Sequence, residues 1–166
     1  MNFASRSDLL ARSSARRLIQ LAVPTDVKMV VADEALRTAI AGGDLSALTP
    51  TDLVSLNLAL AEIDQALADA TQLMVSYGLP ETAANPLLAR LCASIALYYL
   101  QGMARMTADV QAVFDAAVGT LKSHVRGELN LLPALANPAL PADQVLVASA
   151  PRRYGAPAGV MTDWNL

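Results

Sequence analysis

At 166 residues the chain has about one domain's length, enough to bury a single core. A formal charge of -3 is not that of a basic nucleic-acid-binding domain, and one cysteine, Cys92, excludes an internal disulfide. Hydrophobic residues make up 54% and aromatics only 4%, so the apolar content is mostly Ala, Leu and Val, which favours helices over strands.

The mean hydropathy of +0.38 raises the question of a membrane span, which needs about 20 consecutive apolar residues. Residues 91–104 are interrupted by Tyr98, Tyr99 and Gln101, and residues 129–142 contain Pro133, Pro138 and Pro141, so no span is expected. The polar opening, with Asn2, Ser5, Arg6, Ser7 and Asp8, does not resemble a signal peptide, and synthesis in the cytoplasm is expected. Apolar surface that one small domain cannot cover faces another subunit, so oligomerisation is expected too.

In chain order, the first helix is predicted to open at Ser5 with Asp8 three residues on, in an Asp variant of the capping box. It carries Leu9, Leu10, Leu18, Ile19 and Leu21 up to Pro24. A shorter helix spans roughly 33–41 and stops at Gly42 and Gly43. The third starts at Thr49, with Pro50 at its first position and Asp52 completing the box, and runs to about Tyr77. Gly78, Leu79 and Pro80 end it.

Within that third helix Leu53, Leu56, Leu60, Ile63, Leu67, Ala70 and Met74 alternate at spacings of three and four, an a/d seam. Leu58, Ala59, Ala61 and Ala66 widen the apolar surface, which predicts the buried axis of the fold. Asn85 and Pro86 open a further core helix with Leu87, Leu88, Leu91, Cys92, Ile95, Ala96 and Tyr99, up to Gly102. Thr107 starts the last, with Val110, Val113, Phe114, Ala117, Val118, Leu121 and Val125 on one face, ending at Gly127. The expected fold is all-α: a small bundle of four to five helices over residues 1–129.

From residue 130 to 166 the chain is expected to be an extended, proline-rich tail, because five of the nine prolines fall there. A coreless stretch of roughly 35 residues is usually functional or ordered by a partner. Val145 and Val147 lie in its one strand-like segment and could add a strand to a neighbour. Arg152, Arg153, Tyr154 and Trp164 are residue types enriched at interface hot spots, and are expected to dock on a partner.

Arg6, Arg12, Arg16 and Arg17 make the first helix locally basic, with Arg12 and Arg16 one turn apart. Solvent, an acidic patch on a partner, or the phosphates of passing DNA could each face them. Catalysis is not expected. The only histidine, His124, sits where it meets the carbonyl end of a helix, and Cys92 among Leu91 and Ile95 reads as a small buried hydrophobe. One His and one Cys leave no zinc site, and no cofactor is expected. Glu62 and Asp64, two apart on a helix, point in different directions and read as a solvated face.

The stretches Ala61-Glu62-Ile63-Asp64, Tyr77-Gly78-Leu79-Pro80, the run from Pro86 to Tyr98 and the later Pro151-Arg152-Arg153-Tyr154 occur in an order that resembles the Mu-like phage head-to-tail connector proteins. The resemblance spans nearly the whole chain. Two features depart from the family pattern: Gly42 to Leu48 intervene before the third helix, and Leu67 stands near where an aromatic is usual. The resemblance implies a helical adaptor in the virion neck, docked under the portal in about twelve copies around the DNA channel. Its partners would be the portal protein, neighbouring copies and the next neck or tail component, with DNA only as a non-specific lumen contact and no membrane. The alternatives are another neck component, such as a stopper or tail-terminator, and a small helical DNA-binding regulator with its helix-turn-helix around 33–60. That region holds only Arg37 as a basic residue.

Overall fold

Capping chemistry sets where the helices begin in the computed structural model, which describes residues 2–23, 32–102 and 105–132. The described residues form six α-helices and no strand: α1 Arg6–Arg12, α2 Ala15–Ala22, α3 Asp33–Ile40, α4 Pro50–Ser76, α5 Pro86–Gln101 and α6 Ala108–Val125. The fold is all-α, as expected. The residues of the proposed tail sites, Val145, Val147, Arg152, Arg153, Tyr154 and Trp164, lie outside the described residues.

Four of the predicted starts hold in atomic detail. At α1 the Asp8 carboxylate accepts from the Ser5 amide at 2.8 Å, while the Asp8 amide donates back to Ser5 Oγ at 3.3 Å. Thr49 caps α4 ahead of Pro50, and Asn85 Oδ1 accepts from the Leu87 amide at 2.9 Å ahead of Pro86's helix. Thr107 Oγ1 accepts from the Val110 amide at 3.4 Å. Gly78 follows α4 at φ +85°, a left-handed conformation that glycine adopts without a Cβ penalty, and Leu79 then buries itself against the core.

The prediction for the first helix needs correcting. The first helix is two helices, because the chain is extended at Ser13 and Ser14, and Ser14 Oγ accepts from the Arg17 amide at 3.2 Å to start α2 afresh. Serine side chains compete for backbone hydrogen bonds, so a Ser-Ser pair serves a cap better than a helix interior. Replacing Ser14 by Ala is expected to cost roughly 0.5–2 kcal/mol of stability, read from the midpoint of a denaturant titration.

Gly42 to Leu48 form a fixed connection: the Gly43 amide donates to the Thr38 carbonyl at 2.8 Å, and Asp44 accepts from the Ser46 amide and hydroxyl, both at 2.8 Å. Leu45 and Leu48 pack against the core from this segment.

The hub is α5, which packs against α1, α2, α4 and α6. Leu88, Cys92, Ile95 and Ala96 are all fully buried on it. It runs antiparallel to α4, since Cys92 Sγ lies 3.9 Å from the Leu67 carbonyl and 3.7 Å from Thr71 Oγ1, while Tyr99 and Leu100 face the stretch from Glu62 to Asp69. It is also antiparallel to α6: Tyr98 stacks on Phe114 with centroids 3.8 Å apart, and Asn85 Nδ2 donates to the Leu131 carbonyl at 3.2 Å. The predicted seam of α4 is buried from Leu56 through Met74. Leu58 and Ala61 are exposed, however, as are Val54 and, on α5 and α6, Leu87, Tyr99, Val113 and Val125. Thus α4 is one wall of the bundle rather than its axis, and α6 buries only Ala117 and Leu121.

Candidate functional site

The basic cluster read from the sequence is divided by the Ser13–Ser14 break. Arg12 ends α1 and Arg16 belongs to α2, so the two are not one turn apart on a common helix; both are exposed. Arg6 turns to α4, where Nε donates to Asp64 Oδ1 at 2.7 Å and Nη2 donates to Oδ2 of the same carboxylate. Asp64 is therefore half of a two-pronged ion pair rather than a plain solvated acid. With the two side chains 38% and 47% exposed, such a pair contributes about 0–1 kcal/mol; it orients α1 on α4 more than it stabilises.

Arg17 takes a third path. Gln101 is buried at the end of α5, and with its carboxamide oriented to satisfy both neighbours, its oxygen accepts from Arg17 Nη2 and its nitrogen donates to the Arg105 carbonyl at 2.9 Å. The Arg105 guanidinium returns to the Gln20 carbonyl. This clamp fixes α2 to the turn after α5, and satisfying a buried amide in this way avoids the cost of leaving it unpaired. Of the four arginines, Arg12 and Arg16 are thus the exposed pair not drawn into these contacts.

Beside the clamp lies a small cleft of about 110 Å³ lined by Leu21, Glu62, Gln65, Ala66, Asp69, Tyr99 and Leu100. Gln65 Nε2 donates to Asp69 Oδ1 at 2.8 Å. Burial raises the Tyr99 phenol above its ordinary pKa, and the charge of Asp69 adds to this. The cleft's polar side chains are the Gln65 amide, the Glu62 and Asp69 carboxylates and the Tyr99 phenol.

The Asp8 carboxylate is held below its ordinary pKa, first by the Ser5 hydroxyl and then by the Ser5 amide. A depressed folded-state value means that the charged form favours folding: the contribution is complete above the unfolded value near 4 and disappears as the pH falls through the folded one. The amide resonances of α1 are expected to shift together below that range in an NMR titration, and not in Asp8→Asn.

Cys92 is a buried thiol whose pKa is raised, chiefly by burial, which leaves little thiolate for chemistry and agrees with its reading as a core residue. His124 Nδ1 lies 3.1 Å from the Leu129 carbonyl and 3.4 Å from the Leu131 amide. Its ring thus tethers the backbone just past the end of α6. Among the described residues no three His, Cys, Asp or Glu side chains cluster as metal ligands, and no helix is long and apolar enough to cross a membrane.

Local sequence offers no signal for the Arg6–Asp64 pair or for the bonds from Arg105 to Gln20 and from Arg17 to Gln101, whose partners are 58 or more positions apart. The exposed apolar side chains of α4 and α6 were visible as apolar, but a helical period does not say which are covered.

The model of the family described as "Bacteriophage Mu, Gp36" matches residues 3–149. No curated protein matches the chain.

Proposed function

The chain belongs to the bacteriophage Mu Gp36 family, and from that premise we propose that this Mu-like phage protein is a non-catalytic head-to-tail connector subunit. In this reading, copies form a ring of about twelve beneath the portal and join the DNA-filled capsid to the tail. The protein is then part of the virion neck, with the portal, its own neighbours and the next neck or tail component as partners.

The observation that carries the reading is the family match, which covers every described helix and continues to residue 149. Three further features agree with it. The described residues are helical throughout their regular elements, whereas a stopper or tail-terminator is expected to be richer in strands. Large apolar side chains on α4, α5 and α6 stay exposed, as a subunit awaiting neighbours requires. Arg12 and Arg16 present cations to an acidic partner or, without sequence preference, to phosphate.

The DNA-binding regulator fits less well. A helix-turn-helix joins its helices by three or four residues, whereas nine residues, 41–49, separate α3 from α4. The connector reading is tested by mixing purified protein with its portal and following size-exclusion chromatography. Co-elution in a fixed ratio is expected; separate elution over a range of salt concentrations contradicts it.

A further inference from the structure

Past the end of α6 the chain is held by a single imidazole. His124 is half-buried in the last turn of α6, and its Nδ1 lies 3.1 Å from the Leu129 carbonyl oxygen and 3.4 Å from the Leu131 amide nitrogen. One ring nitrogen cannot serve both groups at once. With a lone pair it accepts from the amide; with a proton it donates to the carbonyl. Leu131 is also held from α5, since its carbonyl accepts from Asn85 Nδ2 at 3.2 Å.

Burial decides which bond the neutral ring makes. Leu129 is 41% exposed, so water can satisfy its carbonyl. Leu131 is 1% exposed, and among the described residues Nδ1 is the acceptor its amide has. A buried amide without a partner is costly, which favours the neutral ring with its proton on Nε2 and its Nδ1 lone pair on Leu131. In that state both backbone groups of Leu131 are held, one by His124 and the other by Asn85.

An imidazolium has no lone pair to offer. Its Nδ1 proton turns to the Leu129 carbonyl, and the Leu131 amide loses its acceptor inside the core. The charged and titratable groups on the segments packed here are Lys122, Arg126 and Glu128 around the end of α6, Arg90 on α5, and Tyr77 and Glu81 ahead of α5. Lys122, Arg126 and Arg90 are donors only and cannot replace the lost acceptor, and the Glu128 carboxylate is engaged by Arg126 Nε at 3.0 Å.

We propose that His124 is a proton-operated clasp at the exit of the helical domain. Neutral, it seats Leu131, the last buried side chain of the described core; protonated, it moves its hold to Leu129 and loosens Leu131. The sign follows from the lone pair: the hold on Leu131 is complete with the ring neutral and is lost as the pH falls through the ring's titration. The clasp belongs to the domain's own chain and stands whether or not the connector reading does.

NMR of the full-length protein reads the ring and the backbone together. At about pH 8 the nitrogen shift of His124 Nδ1 is expected to be that of an unprotonated nitrogen, with the Leu131 amide protected from hydrogen exchange. Between about pH 8 and about pH 5, after correction for the intrinsic exchange rate, that protection is expected to fall by about tenfold or more. The fall should follow the ring's own titration, while the amide of Ile95 in α5 keeps its protection. In His124→Asn, whose amide can reach Leu131 but does not titrate, Leu131 protection is expected to be independent of pH.

A proton on Nδ1 at the upper pH, a ring that takes up no proton down to the lower one, or Leu131 protection that stays constant while His124 titrates would each overturn the proposal. So would an equal loss of protection in the Asn variant. If that variant fails to fold, the first three readings come from the unaltered chain and decide the matter.

Discussion

A chain ending at Leu132 is expected to remain a soluble helical domain and to lose portal binding altogether. The buried side chains of the described core all lie at or before Leu131, and the last of them is pinned through its carbonyl to Asn85. Residues 133–166 contain Arg152, Arg153, Tyr154 and Trp164, the side-chain types that contribute most at interfaces. Loss of a few such anchors removes several kcal/mol of binding, enough to take a micromolar complex out of range. Circular dichroism reads the fold, and co-elution with portal reads the binding. A truncated protein that binds as the full chain does would assign portal recognition to the helical domain instead.

The second large effect belongs to the core. Leu67 on α4 is 1% exposed, sits in the seam that faces α5, and its carbonyl is approached by Cys92 Sγ. Leu67→Ala removes three buried carbons from a wall that cannot fully collapse, at a cost of roughly 2–5 kcal/mol. For a chain of this length that lowers the thermal midpoint by about 4–20 °C. Leu58→Ala, on the same helix but 48% exposed, is expected to shift the midpoint little. Parallel melts of the two variants check whether α4 is a wall with one buried side; equal losses would contradict that arrangement.

The ends of most helices were legible because their chemistry is local. Ser5 with Asp8, Thr49 with Pro50, Asn85 with Pro86 and Thr107 each satisfy amides within three residues, so sequence neighbours suffice. The glycines that follow helices, Gly42, Gly78, Gly102 and Gly127, all have positive φ for the same reason. The break at Ser13 and Ser14 is not decided by the sequence, because the apolar residues on either side also fit one amphipathic run. Only the Ser14 hydroxyl on the Arg17 amide decides between the two.

What could not be read is what depends on distant partners. The roles of the four N-terminal arginines diverge because Arg6 meets Asp64 and Arg17 meets Gln101, pairings that follow from how α1 and α2 cross α4 and α5. Likewise Leu58 and Val125 are as apolar as Leu60 and Leu121, and only packing distinguishes covered from open. The candidate surface therefore emerged from the fold, while the family resemblance came from the order of short motifs.

The connector assignment is tested most directly by electron microscopy of the full-length protein mixed with its portal. The account predicts an added ring of density on the portal's tail-facing end, built from repeats that accommodate this six-helix domain. A portal that stays bare, or density bound elsewhere on it, would contradict the account.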